Sequence, residues 1–140
     1  MSFLLDTCAI SELTKPTPDA GLMRWLQAAD ESALHLSVIT LGEIQKGIAA
    51  LAGSKRKRAL EHCLEVDLVQ RFAERILTFG VEEAARWGNL LGSAERKGKT
   101  LPVTDAMIAA TAIRHDLTVV TRNTQDFVRF PVKIENPWLK

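Results

Sequence analysis

A chain of 140 residues with 46% hydrophobic side chains is long enough to close a real core and too apolar to stay disordered. Its formal net charge of +1 gives no global attraction to nucleic acid or to an anionic membrane, so any such contact must come from a local patch. Cys8 and Cys63 make neither a disulfide framework nor a zinc site, no apolar run approaches the roughly 18 residues of a membrane span, and the N-terminus lacks a basic start with a cleavage site, so a soluble cytoplasmic protein is expected.

In chain order, Phe3 to Leu5 is expected as the first strand, in an apolar run that Asp6 ends. A short helical turn from Ser11 to Lys15 follows, stopped by Pro16 and Pro18. Asp19 to Ala29 has helical spacing, with Leu22, Trp25, Leu26 and Ala29 on one stripe. Leu34 to Ile39 reads as the second strand. Thr40 suits the N-cap of the next helix with Glu43 three residues on, a capping-box arrangement that places Glu43 in the first turn. Gly53-Ser-Lys-Arg-Lys-Arg58 is the only dense basic run, and it precedes a helix carrying Leu60, Leu64, Leu68 and Phe72. Arg75 to Phe79 is a third strand, Glu82 to Arg96 a helix, and Lys97 to Thr100 a turn.

The most apolar helix then opens at Pro102 and Thr104. From Ala106 to Ile113 it offers one polar side chain, Thr111, so it is expected to be buried nearly all round. Leu117 to Thr121 is a fourth strand and Val132 to Ile134 a short last one. The β-α alternation, with no repeat or linker, predicts a single domain over residues 1–140 with helices on both faces of a mainly parallel sheet.

Asp105 stands at the start of that buried helix. A lone ionised carboxylate there is costly unless something positive pairs with it, and the helix dipole offers only about 1 kcal/mol or less. Three more acids fall near the C-terminal end of an expected strand or at a helix start: Asp6, Glu43 and Asp126. In an open α/β sheet the ligand crevice lies at those strand ends, so the four are expected to gather on one edge. Three or four carboxylates can hold one or two hard divalent cations, with waters and a substrate phosphate completing the shell. No His or Cys stands beside these acids in a zinc-type spacing, and a Gly-rich phosphate loop is absent. Plainer roles compete. Asp6 would equally cap the turn from Thr7 to Ile10, Glu43 would serve the capping box, and Asp126 would be an ordinary turn residue. Asp105 has the weakest structural alternative.

Four segments carry a family resemblance: Leu4-Leu-Asp6-Thr, Ile39-Thr-Leu-Gly-Glu43-Ile, Asp105-Ala-Met-Ile-Ala-Ala-Thr-Ala, and Thr121-Arg-Asn-Thr-Gln-Asp126-Phe. In this order and spacing they resemble the PIN-domain nucleases, and above all the VapC-type toxins of bacterial toxin–antitoxin pairs. The resemblance runs over essentially the whole chain, including Asn136-Pro-Trp138. It implies a Rossmann-like α/β/α fold, Mg²⁺- or Mn²⁺-dependent RNA cleavage, homodimerisation, and inhibition by a cognate antitoxin, with DNA met only through that antitoxin. Asp6 and Asp105 match the family's principal metal ligands, and Glu43 its third acid, which binds metal or orients water. Many members place the fourth acid directly after the Thr-Arg pair, where this chain has Asn123. Asp126 then substitutes, binds through water, or does neither. Cys8 stands where the family often has Asn or another polar residue. Thr7, Ser11 and Thr121 are candidate hydroxyls to hydrogen-bond the ligating carboxylates, with capping as the alternative role.

Lys55, Arg56, Lys57 and Arg58 either grip an RNA backbone or form a solvated helix start. Arg114 and Arg122 are expected to flank the acidic edge, to hold phosphate or to pair with acids. His35, His62 and His115 are scattered, which speaks against an imidazole base. Two rival functions remain at this stage. One is a Mg²⁺-dependent phosphatase or DNA nuclease on the same acids, although an aspartyl-nucleophile phosphatase would want an Asp where Cys8 stands. The other is a catalytically weak, antitoxin-bound regulatory module, which near-zero net charge and the lack of a helix-turn-helix signal disfavour as a direct DNA binder.

Overall fold

The computed structural model describes residues 1–139. Five strands, β1 (Phe3–Leu5), β2 (Leu34–Ser37), β3 (Ile76–Leu77), β4 (Thr118–Val120) and β5 (Ile134–Glu135), form an all-parallel sheet in the order β3-β2-β1-β4-β5. The helices are α1 (Thr7–Leu13), α2 (Ala20–Ala28), α3 (Val38–Ala49), α4 (Lys55–His62), α5 (Val69–Arg71), α6 (Val81–Arg96), α7 (Val103–His115) and α8 (Thr124–Phe127). A π-helical stretch, Cys63–Leu68, joins α4 to α5.

The sheet is buried on both faces because its strands alternate between two cores. Leu5, Leu34, Leu36 and Val120 face a core closed by Ile10, Leu22, Leu26, Ile48 and Phe72. Leu4 and Val119 face the other, closed by Ala106, Ile108, Ala109, Ala112 and Phe127. The small alanines let α7 lie close on the sheet, and its stretch from Ile108 to Ala112 is buried as expected, with Thr111 returning its hydroxyl to the Met107 carbonyl at 3.0 Å. From β1 the chain steps outward to β2 and β3, then returns to lay β4 on the other side of β1. That reversal makes the crevice between the C-terminal ends of β1 and β4 the topological switch point, where open α/β sheets bind ligands.

Local boundaries depart from expectation: β3 and β5 cover only two residues each, Ile76–Leu77 and Ile134–Glu135, and three other departures bear on the site and its surroundings. The first helix begins at Thr7, directly after Asp6, and not at Ser11, because Ala9 and Ile10 are drawn into the core. The second strand ends at Ser37, whose hydroxyl accepts the Ile39 N–H at 3.0 Å and caps α3. Thr40 is therefore no cap, and Glu43 sits in the second turn of α3, without the capping-box role. The basic run lies inside α4 from Lys55 onward, with Ser54 as its N-cap. Among the described residues no helix is long and apolar enough to cross a membrane.

Candidate metal centre

Asp6 stands one residue past β1, and its N–H continues the ladder to the Val120 carbonyl at 2.9 Å, so its position is set by the sheet itself. Thr121 follows β4 in the same way and is fully buried. Its hydroxyl donates to Asp6 Oδ2 at 2.9 Å and accepts the Asn123 N–H at 2.9 Å, tying the two strand ends together. Cys8, in the first turn of α1, brings Sγ to 3.4 Å from Asp6 Oδ2 and to 3.4 Å from Thr121 Oγ1, and it accepts the Arg122 N–H. Burial pushes the Asp6 carboxyl above its ordinary value; the Thr121 hydroxyl, the Thr7 N–H and the Cys8 thiol oppose that, and the Asp126 charge adds to it. Burial likewise raises the Cys8 thiol, with the Asp6 charge beside it, so the sulfur stays protonated and donates.

Asp105 lies in the first turn of α7, as expected. Its pKa is pushed up to about 6, first by burial and then by the charges of Asp6, Asp126 and Glu43, with Arg129 pulling the other way. All three other acids thus act on Asp105. Glu43 reaches the group from α3, where Oε1 accepts a short hydrogen bond from the Thr7 hydroxyl. Thr7 also meets Thr40 Oγ1 at 3.3 Å. Asp126 lies in α8, a single helical turn with Asn123 at its N-cap position, and its charge acts on both Asp105 and Asp6. Asn123 itself opens α8, and its N–H is used on Thr121.

The other predicted residues divide. Ser11 lines a cleft of about 300 Å³ beside Glu43, together with Thr7, Thr14, Lys15 and Arg56. Of the basic run, Arg56 alone lines it. Arg122 is exposed and borders a shallow cleft shared with Asn123 and Asp126. Arg114 does not belong to the acidic edge. It sits in the last turn of α7, nine residues and roughly 13 Å of helix from Asp105, and pairs with Glu82 and Glu83. Arg129, which the sequence did not single out, has Nη2 3.8 Å from Asp126 Oδ1. A basic residue three positions after an acid was the one signal available for it.

The donor set suits a hard cation: four carboxylates and several hydroxyls, with Cys8 protonated and used in a hydrogen bond. Among the described residues no three acidic, histidine or cysteine side chains already close to the spacing of a finished cage. Mg²⁺ does not need one, because one or two carboxylates suffice when water and phosphate complete its shell. Mutual repulsion among the acids, visible in the raised Asp105, is the charge that such an ion would neutralise.

Known proteins are similar to this chain in sequence and fold over nearly its whole length. The chain is 36% identical over 135 residues to the VapC ribonuclease Y4jK of Sinorhizobium fredii, covering 96% of each chain. It is 39% identical to toxin FitB of Neisseria gonorrhoeae, covering 96% of this chain and 97% of that one. Among solved structures, FitAcB from Neisseria gonorrhoeae superposes with a TM-score of 0.88 at 39% identity, covering 97% of this chain and 98% of that one. VapBC2 from Rickettsia felis, bound to a DNA fragment from its promoter, superposes with a TM-score of 0.77 at 27% identity over 97% of this chain and 98% of that one. The PIN domain model matches residues 3–133, and the chain belongs to the PIN-domain family, whose nucleases depend on metal.

Proposed function

We propose that this chain, as a single domain, is a Mg²⁺- or Mn²⁺-dependent endoribonuclease and the toxin of a toxin–antitoxin pair. The observation that carries this reading is that Asp6, Glu43 and Asp126, which come from separate parts of the chain, all act on Asp105 and together with burial raise it to about 6, while Asp6 stands at the β1–β4 switch point of the sheet. Relatives named as VapC ribonucleases and as toxins support the substrate and the role. Neighbouring structures of VapBC and FitAB complexes support a cognate antitoxin as partner; a cytoplasmic homodimer is part of the same proposal. Neither rival function gains an observation of its own.

Asp6 and Asp105 would hold the ion, with Thr121 and Cys8 fixing the Asp6 carboxylate through its Oδ2. Glu43, held by Thr7, would bind a second ion or orient the attacking water. Asp126 is the fourth acid and Asn123 a structural opener of α8. The ion supplies water activation and charge neutralisation for in-line displacement at a phosphodiester. Around it the protein's share is to orient these carboxylates; burial raises both Asp6 and Asp105, and the charge of a bound ion would hold them ionised.

Purified antitoxin-free protein incubated with total RNA in Mg²⁺, Mn²⁺ or EDTA, beside Asp6→Asn and Asp105→Asn, tests the proposal. Discrete fragments that require metal and vanish in both variants are expected. Cleavage that survives EDTA or either substitution would overturn the assignment. Absence of both cleavage and metal binding would make the acids structural.

A further inference from the structure

A further cleft, of about 520 Å³, opens between the end of α6, the turn that leads into α7, and Arg129. Leu90, Ala94 and Leu101 give it an apolar floor, while Lys97, Lys99 and Arg129 stand around it. Among the described residues no acidic side chain lines it. Arg129 is shared with the acidic group, since it faces Asp126 and acts on Asp105. Leu101 lies four residues before Asp105 on the same chain segment, so the cleft and the acids are neighbours.

The two lysines are placed by backbone geometry. Gly98 takes φ +74, its N–H goes to the Glu95 carbonyl at 2.9 Å, and the Lys99 N–H goes to the Ala94 carbonyl at 2.8 Å. That is a Schellman ending, which holds one lysine on either side of a left-handed glycine. Lysines after a helix are often there only to answer its dipole. That role does not require an apolar floor between them, nor an arginine arriving from beyond α8 on the far side. Both lysines are exposed and, among the described residues, neither is in an ion pair.

Resting on the ribonuclease reading above, we propose that this cleft seats a nucleotide of single-stranded RNA next to the scissile phosphate. The base would lie on Leu90, Ala94 and Leu101, and Lys97, Lys99 and Arg129 would hold the flanking phosphates. Charge complementarity selects the occupant. Two lysines outside any ion pair among the described residues, and an arginine whose one carboxylate partner, Asp126, does not line the cleft, surround an apolar floor. They match a polyanion that carries flat apolar faces. The volume falls in the range of small-ligand sites. A base can enter only when it is unpaired, so the substrate class is single-stranded or loop RNA and not a duplex. Asn89 and Ser93, which also line the cleft, supply polar groups for base edges.

The test uses the full chain carrying Asp105→Asn, which prevents turnover, and a fluorescent 12-nucleotide single-stranded RNA of mixed sequence. Lys97→Ala with Lys99→Ala should weaken binding about tenfold. The same pair should lower the slope of log affinity against log salt by about 1.4, the change expected when two phosphates of a single strand are no longer neutralised. Lys97→Arg with Lys99→Arg should restore most of it. Ser93→Trp, which fills the cleft and leaves every charge, should weaken the single strand and leave the duplex of the same sequence unchanged. RNA bearing 4-thiouridine should crosslink within residues 90–101. Unchanged affinity and slope in the alanine pair, while wild type still cleaves RNA with metal, would overturn the cleft assignment and leave the nuclease reading standing. Unchanged RNA binding with loss of a protein partner would assign the cleft to that partner and overturn it as well. Wild type that neither binds nor cleaves RNA would remove both readings together.

Discussion

Asp105→Asn should stabilise the metal-free protein at neutral pH and destabilise it, relative to wild type, once metal is added. The carboxyl is pushed from its ordinary 3.8 up to about 6 by burial and by Asp6, Asp126 and Glu43. A carboxyl raised in the fold resists ionising there, whereas in the unfolded chain it ionises freely. The native state therefore loses stability as pH rises from 3.8 to about 6, and above that window the whole penalty is in place. At full strength that gap corresponds to about 3 kcal/mol. Asp105 is only half-buried, so water screens it, and about 1 kcal/mol is the amount to expect. For a chain of 140 residues this is about 3 °C in Tm.

Thermal unfolding in EDTA at pH 7.5 should put the Asn variant about 3 °C above wild type, and the gap should close near pH 4. With Mg²⁺ at a hundred times its Kd, wild type should gain about 2.7 kcal/mol, or about 9 °C, and the variant little, so the order reverses. A variant less stable than wild type in EDTA at pH 7.5 would mean that a hidden partner holds Asp105 as a structural residue. A gain that does not change between pH 7.5 and pH 4 would mean that charge repulsion is not its source.

Thr121→Val removes the donor to Asp6 and strands the Asn123 N–H, so it should cost about 2 kcal/mol in urea unfolding and weaken metal binding about tenfold by calorimetry. Ile108→Ala, in the fully buried face of α7, should cost about 3 kcal/mol, and the loss should not depend on metal. Gly47→Ala adds a methyl into open space on α3 and should raise stability by about 1 kcal/mol, measured by urea midpoint. Arg75→Ala breaks a cluster in which the guanidinium donates to the Leu34 and Arg71 carbonyls at 2.7 Å, pairs with Glu31 and lies over Phe72, and should lower Tm by about 6 °C.

The parallel sheet was readable because β1, β2 and β4 are short apolar runs closed by polar residues, and a strand buried on both faces has to look that way. The position of Asp105 was readable because Pro102 opens a helix with almost nothing polar behind it. The start of α3 was not. Val38 and Ile39 are β-branched and continue the strand pattern, yet the ladder stops at Ser37, and Ser37 and Thr40 offer the same hydroxyl three residues apart. What decided between them was where β3 stops pairing, which is a property of a distant segment. Arg114 shows the same limit from the other side. It shares a helix with Asp105, but sequence order along a helix becomes distance, and the acids it meets belong to α6.

The fourth acid turns on geometry that sequence spacing does not contain. Asn123 occupies the place after Thr-Arg where many family members carry an acid, and it lies directly beyond the hydroxyl that holds Asp6. A carboxylate there would add charge beside Asp6 and Thr121, in a position where the backbone N–H is already committed. Here that position opens α8 instead, and one helical turn carries the next acid, Asp126, back toward Asp105 and Asp6. The displacement also brings Arg129 in, three residues further on, within 3.8 Å of Asp126. In the proposed site, a fourth acid one helical turn further on and paired with a cation leaves less unbalanced charge without metal than four carboxylates at the strand ends. Asp126→Ala should therefore lower metal affinity less than Asp6→Ala. It should also free Arg129, leaving RNA binding in EDTA unchanged or stronger. A loss of RNA binding in that variant would contradict this account of the pair.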